Sequence, residues 1–247
     1  MSARIRYFRE ELARQPDKIQ YLLENSQLPG PRANLELMQA LVMAGDAQLL
    51  DRCLALDRGA AADGNHPEDF VVFCGIAGLG TIADPDQPEI LAKLRSFASD
   101  HRWRIREGIA IALQAWGRKD YDAMFQCISA WLEGNPYELR AVVAALCEPD
   151  LLDDERSASQ TIGILDRITA KYPQIYKDRI NGWDVLEKGL SYGWSVAVVA
   201  SPVLGKAKMD FWLTQADERI HRIMMANLKK KRLTVLDESW VNSHLNK

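Results

Sequence analysis

The four histidines, His66, His101, His221 and His244, are the first side chains to test for chemistry. No two of them stand at the spacing of an HExxH or HxxxH ligand pair, and no cysteine cluster joins them, so no metal site and no cofactor is expected. The four cysteines, Cys53, Cys74, Cys127 and Cys147, include no CxxC pair and mostly fall within apolar runs. They read as reduced thiols buried in helices, which places the protein in the cytoplasm. No GxSxG elbow occurs. Gly75, Gly78 and Gly80 lack the spacing of a phosphate loop and follow no strand, so they read as sites of close helix packing. One chemically suggestive stretch remains, Asn181–Glu187 (NGWDVLE). Local structure accounts for it simply: Asn181 suits an N-cap, Asp184 a first turn favoured by the dipole, and Trp183 a packing position. Basic residues gather at Arg102, Arg104 and Arg106, at Lys206 and Lys208, and at Lys229–Arg232. On one concave face they would track phosphates. The Lys229–Arg232 run is also what a solvated helix C-terminus favours.

Helices must position all of these residues. Phe97–Leu113, Trp131–Cys147 and Trp212–Leu228 align without gaps. Each opens on an aromatic residue, carries Ile105, Leu139 or Ile220 eight positions on, then Arg106, Arg140 or His221, and then Ile109, Val143 or Met224. Gly64–Leu79 is a looser copy, with Pro67 two repeat lengths before Pro136. Phe97 and Trp131 are 34 residues apart, a period that marks stacked helical hairpins. Asp100, Asn135 and Asp217 supply turn or N-cap oxygens, and one apolar stripe per hairpin must be covered by a neighbour. Residues 3–25 predict one helix or two, broken at Pro16. The LPGP stretch, Leu28–Pro31, is a breaker, and Asn34 caps the next helix, which Gly45 ends and AQLLDRCLALD answers as an antiparallel partner. Glu68–Ala83 predicts a central buried helix. A later helix ends at Pro173, Pro202 breaks the run after Gly182, the helix of the Trp212 repeat finishes in Lys229–Arg232, and the tail packs through Trp240. No segment of useful length has strand periodicity.

Composition narrows the function classes. The chain has 247 residues, 47% hydrophobic and 26% charged, enough to bury a core as one domain. Its 31 basic residues against 34 acidic ones leave a net charge of −3, whereas a dedicated nucleic-acid binder is usually basic overall. The N-terminus has charges throughout and no apolar signal core, and no run approaches the length of a membrane span.

A helical hairpin of roughly 34–40 residues with an aliphatic–Arg pair in its second half resembles a HEAT repeat. The resemblance covers about residues 30–232, and it implies a binding scaffold. NGWDVLE in turn resembles the NWDxxD segment of the HEAT-like DNA alkylation repair glycosylases, and the run from Trp212 to Arg222 resembles that family's later segment ending in Trp-x-Arg-Arg. The resemblance implies an aromatic cleft for a cationic alkylated nucleotide and a carboxylate that stabilises positive charge on the sugar. Position by position, Trp183 takes the place of a cleft aromatic and Glu187 that of the carboxylate, with Glu for the family's Asp. Arg219 stands at the Trp of the later segment and His221 at its first arginine.

The expectation is therefore an all-α protein, a right-handed α-α superhelix (an armadillo-like solenoid) of about five to six HEAT-like hairpins. It forms a single domain over residues 1–247, with capping helices in 1–30 and a tail in 233–247. Its expected function is non-enzymatic, binding a protein or peptide partner on a concave face, with no cofactor, no metal and no membrane association. The alternative is a DNA-binding protein or alkylpurine glycosylase, with Trp183 and Glu187 at its centre and Arg102, Arg106, Lys229 and Lys230 on phosphates.

Overall fold

The computed structural model describes residues 2–44 and 46–245, and the helix end expected at Gly45 lies outside them. Every regular element among the described residues is helical, so the chain is all-α. None of these helices is long and apolar enough to cross a membrane. The chain forms two compact units, Met1–Cys127 and Ile128–Lys247.

In the first unit, α1 (Ala3–Arg14) and α2 (Lys18–Glu24) flank Pro16. The side chain of Asp17 caps α2, as that of Asn34 caps α3 (Leu35–Val42) and that of Asp46 caps α4 (Ala47–Leu54). The central element is α5 (Pro67–Ile82), buried continuously from Asp69 to Gly80. A helix apolar on every side must be covered on every side, and α2, α3, α4, α6 (Pro88–Ala98) and α7 (Trp103–Lys119) all pack on it. The α3 and α4 helices, expected as partners of each other, instead pack elsewhere, α4 mainly on α5 and α3 on α1 and α5, because the uninterrupted apolar surface of α5 offers each more area to bury. Close packing explains the glycines. A Cβ on Gly80 would stand 1.8 Å from the Ala112 carbonyl oxygen of α7, so only glycine allows this crossing.

The second unit follows α8 (Tyr121–Ser129), in which the boundary falls. Asn135 and Glu138 form a capping box at the start of α9 (Pro136–Leu146), with Pro136 at the first helical position. The long α10 (Glu155–Lys177) runs through Pro173 instead of ending there. Proline removes one N–H from the ladder but leaves the following turn free to continue where tertiary contacts hold it. Here Tyr172 and Ile175 are buried on either side of Pro173 and anchor that turn. The central element is α11 (Trp183–Ala200), packed by α9, α10, α12 (Pro202–Leu213), α13 (Glu218–Leu228) and α14 (Lys231–Leu236). The tail forms α15 (Glu238–Leu245), where the Trp240 indole N–H donates to Asp210 at 2.8 Å.

The repeat pattern is a burial pattern. Ile105, Leu139 and Ile220, and Ile109, Val143 and Met224 after them, are all buried in α7, α9 and α13, while Arg106, Arg140 and His221 are not. The architecture is thus a helical repeat, with a stripe in each copy covered by neighbouring helices.

Candidate functional site

The second unit brings Trp183 and Glu187 into one cluster with residues the sequence did not single out. Tyr172 and Tyr176 lie one turn apart on α10, on both sides of Pro173. Beyond α10 the chain passes Arg179 at φ 54° and reaches Gly182 at φ 90°, which precedes α11 as its N-cap residue. Gly182, not Asn181, holds that place. The Asn181 side chain instead accepts a hydrogen bond from the Tyr137 hydroxyl at 3.2 Å. A Cβ on Gly182 would meet the Tyr137 ring at 2.8 Å, so glycine is required by both dihedral and space.

Trp183 then stands edge-on to Tyr176, with ring centroids 5.1 Å apart. Two arginines cover these rings. The Arg219 guanidinium is 4.2 Å from the Tyr176 centroid and 5.3 Å from that of Trp183, and that of Arg179 is at 4.4 and 5.2 Å. Glu187 accepts from Arg219 Nη1 at 3.2 Å and from the Tyr172 hydroxyl, and Arg219 Nη2 donates to the Tyr176 hydroxyl at 3.0 Å. Burial, then the hydrogen bond to Glu187, raises the Tyr172 phenol well above its ordinary value, so it stays a donor. Burial works against the Arg219 charge, but the Tyr176 hydrogen bond and the Glu187 carboxylate outweigh it and raise its pKa. The aromatic faces and the carboxylate thus already hold a cation, supplied by the chain itself. A Tyr–Tyr spacing of four residues was the available signal for this cluster, hidden by the reading of Pro173 as a helix end.

The four basic candidates fall into different settings. Arg102 is buried, its side chain fully enclosed, and pairs with Asp57 and Asp100 at 2.8 Å and Asp69 at 3.1 Å. This corrects its reading as a phosphate ligand, since three carboxylates already saturate it. Arg106 Nη1 donates to the carbonyls of Asp100 and His101 at 2.6 and 2.8 Å, fastening the turn before α7. Lys229 is exposed and Lys230 half-buried, its ammonium 5.7 Å from the Tyr192 centroid. The basic run does not finish one helix as expected. Leu228 ends α13, while Lys231 and Arg232 open α14, where Arg232 donates to the Tyr192 hydroxyl at 2.7 Å.

The first unit holds a different feature, a groove of about 350 Å³ where the starts of α3 and α7 meet α5. Leu35, Phe73, Trp103 and Ile111 give its apolar lining, and Arg32, Arg104 and Glu107 its charged one. Trp103 is 54% exposed and Leu35 50%, each at the first position of its helix. Arg104 is buried beside them. Its guanidinium lies 4.5 Å from the Trp103 centroid and donates to the carbonyls of Gly64 and Gly30 at 3.0 and 3.1 Å. It thereby ties two loops to α7 and fixes the groove's wall.

No family model matches the sequence, and no curated protein is similar to it. A designed armadillo repeat protein aligns with 91% of this chain and 98% of its own, at 14% identity and a TM-score of 0.37. A score at that level fixes neither topology nor function.

Proposed function

We propose that this protein is a non-catalytic HEAT-like scaffold that docks a peptide segment of a protein partner in the groove between α3, α5 and α7. The single observation that carries this reading is Trp103, a large aromatic side chain more than half exposed at the mouth of an apolar groove. Soluble proteins rarely leave such a patch uncovered without a partner for it, and buried tryptophans anchor many interfaces. The rigid backing comes from α5, and two loops are pinned by Arg104. Four free cysteines suit a protein working in the reducing cytoplasm. The test compares proteins retained from cell extract by the full chain and by a Trp103→Asp variant that keeps its thermal unfolding midpoint. A partner held by the wild type and released by the variant is expected. Identical retained sets would overturn the reading.

The nucleic-acid alternative has one observation in its favour, the convergence of Trp183 and Glu187 with two tyrosines. A base-excision role needs a carboxylate free to meet developing positive charge, and here Arg219 and Tyr172 engage it. Binding to fluorescent duplex DNA, with and without an alkylated base, at two salt concentrations decides the point. Salt-sensitive binding lost on Lys229→Glu plus Lys230→Glu would support this alternative, and base release abolished by Glu187→Gln would make the protein an enzyme.

A further inference from the structure

Arg102 and Arg104 stand two residues apart at the start of α7, both buried, yet only one has its charge neutralised. Arg102 has three carboxylates. Arg104 has two backbone carbonyls and the face of Trp103, and forms no ion pair among the described residues. The carboxylate whose charge acts on it is that of Asp69, which already pairs with Arg102 and Arg58. Burial depresses the Arg104 pKa, and the Asp69 charge offsets it only in part. Its two carbonyl partners take Nε and Nη2, and none of its nitrogens is buried without a partner, so the remaining N–H groups stay open to a further acceptor. Arg32, on the same groove, is exposed and likewise forms no ion pair among the described residues. Glu107, the acidic residue of the lining, is already engaged.

We infer that the groove selects a peptide segment in which an aspartate or glutamate stands beside a large apolar side chain. The carboxylate meets Arg104 and Arg32, and the apolar group packs between Trp103, Leu35 and Phe73. This rests on the docking reading above and specifies its ligand by charge complementarity. A guanidinium stacked on an indole is pre-oriented for a planar carboxylate, so little ordering is needed on binding. The neighbouring apolar surface excludes water from that pair and strengthens it.

A displayed random heptapeptide library selected on the full chain tests the inference. Selected peptides are made synthetically and measured by fluorescence anisotropy. Enrichment of Asp or Glu next to Trp, Phe, Leu or Ile is expected. Replacing the acidic residue by its amide should weaken binding roughly tenfold or more, the size of one charge-assisted hydrogen bond. That loss should shrink in Arg104→Met and, separately, in Arg32→Ser, an exposed position where folding is not at stake. Peptides that need Trp103 but show no acidic preference, or prefer basic residues, would overturn the charge inference and leave the docking reading standing. Peptides indifferent to Trp103→Asp, or no selected binder at all, would overturn both.

Discussion

At the scale of single residues, Arg102 organises the first unit. Its guanidinium gathers Asp57, Asp69 and Asp100 from three different segments, and His66 and Asp69 close the start of α5 beside it. Arg102→Met would take the shared cation from three acidic groups and leave Asp69 with Arg58 alone, and breaking a buried pair costs about 3–5 kcal/mol. Urea unfolding of the purified variant should show that loss. The same cluster predicts acid sensitivity. Burial alone would raise the Asp100 carboxyl, but hydrogen bonds from the Arg102 side chain and backbone outweigh it and hold it below its ordinary value of 3.8. A carboxyl depressed in the folded state stabilises above its unfolded pKa and loses that contribution as pH falls through its folded one. Wild-type stability should therefore decline below about pH 4, and a curve of unfolding free energy against pH should be flatter there in Arg102→Met. The sequence made Trp183 and Glu187 visible because they sit in one short stretch. Arg219 and Tyr176 were invisible as their partners, since only the fold brings α10 and α13 to the start of α11. Arg102 was misjudged for the same reason: composition counts a positive charge, and only the structure supplies the three acidic side chains that neutralise it.

At the scale of elements, α5 is the centre of the first unit and α11 that of the second, and α5 was legible because so apolar a helix cannot be anything but central. The three-copy register was legible too, since aliphatic spacing translates directly into burial at Ile105, Leu139 and Ile220. Helix ends were less so. Proline was read as a stop at Pro173, and α10 continues because the apolar contacts of the next turn outweigh one missing hydrogen bond. The basic run looked like one helix end because nothing in KKKR marks the break after Leu228. Two substitutions test the packing account. Gly80→Ala gains roughly 0.5–1 kcal/mol of helix propensity, yet its Cβ meets the α7 backbone. The crossing of α5 and α7 must shift, and a net loss of about 1–3 kcal/mol is expected. Gly163→Ala, on the exposed face of α10 with nothing within 4 Å of the new Cβ, should instead stabilise by about 0.5–1 kcal/mol. Thermal melts of the two variants should move in opposite directions. If both fell, the Gly80 result could not be assigned to its contact with Ala112.

At the scale of the whole molecule, two compact units each with a central helix raise the question of whether they open together. The four thiols are placed to answer it. Cys53 and Cys74 lie in the core of the first unit and Cys147 in that of the second, while Cys127 is half-buried in α8. Burial pushes the Cys53 and Cys147 thiols up to about 12, and that of Cys74 well above its ordinary value. At pH 8 a thiol of that pKa is ionised in roughly one molecule in ten thousand. These three are also enclosed, so native protein should react with Ellman's reagent slowly and at Cys127 first. Reaction at the other three then reports local opening. Arg102→Met weakens the first unit where its carboxylates meet, so labelling of Cys53 and Cys74 should rise roughly a hundredfold or more, following the stability lost. Cys147 lies in the second unit, with its sulfur beside Gly193 of α11, and should change far less. Mass spectrometry of labelled peptides resolves the sites. Equal acceleration at all three cysteines would mean that the units unfold as one cooperative body, and the groove at Trp103 would then depend for its shape on the whole chain.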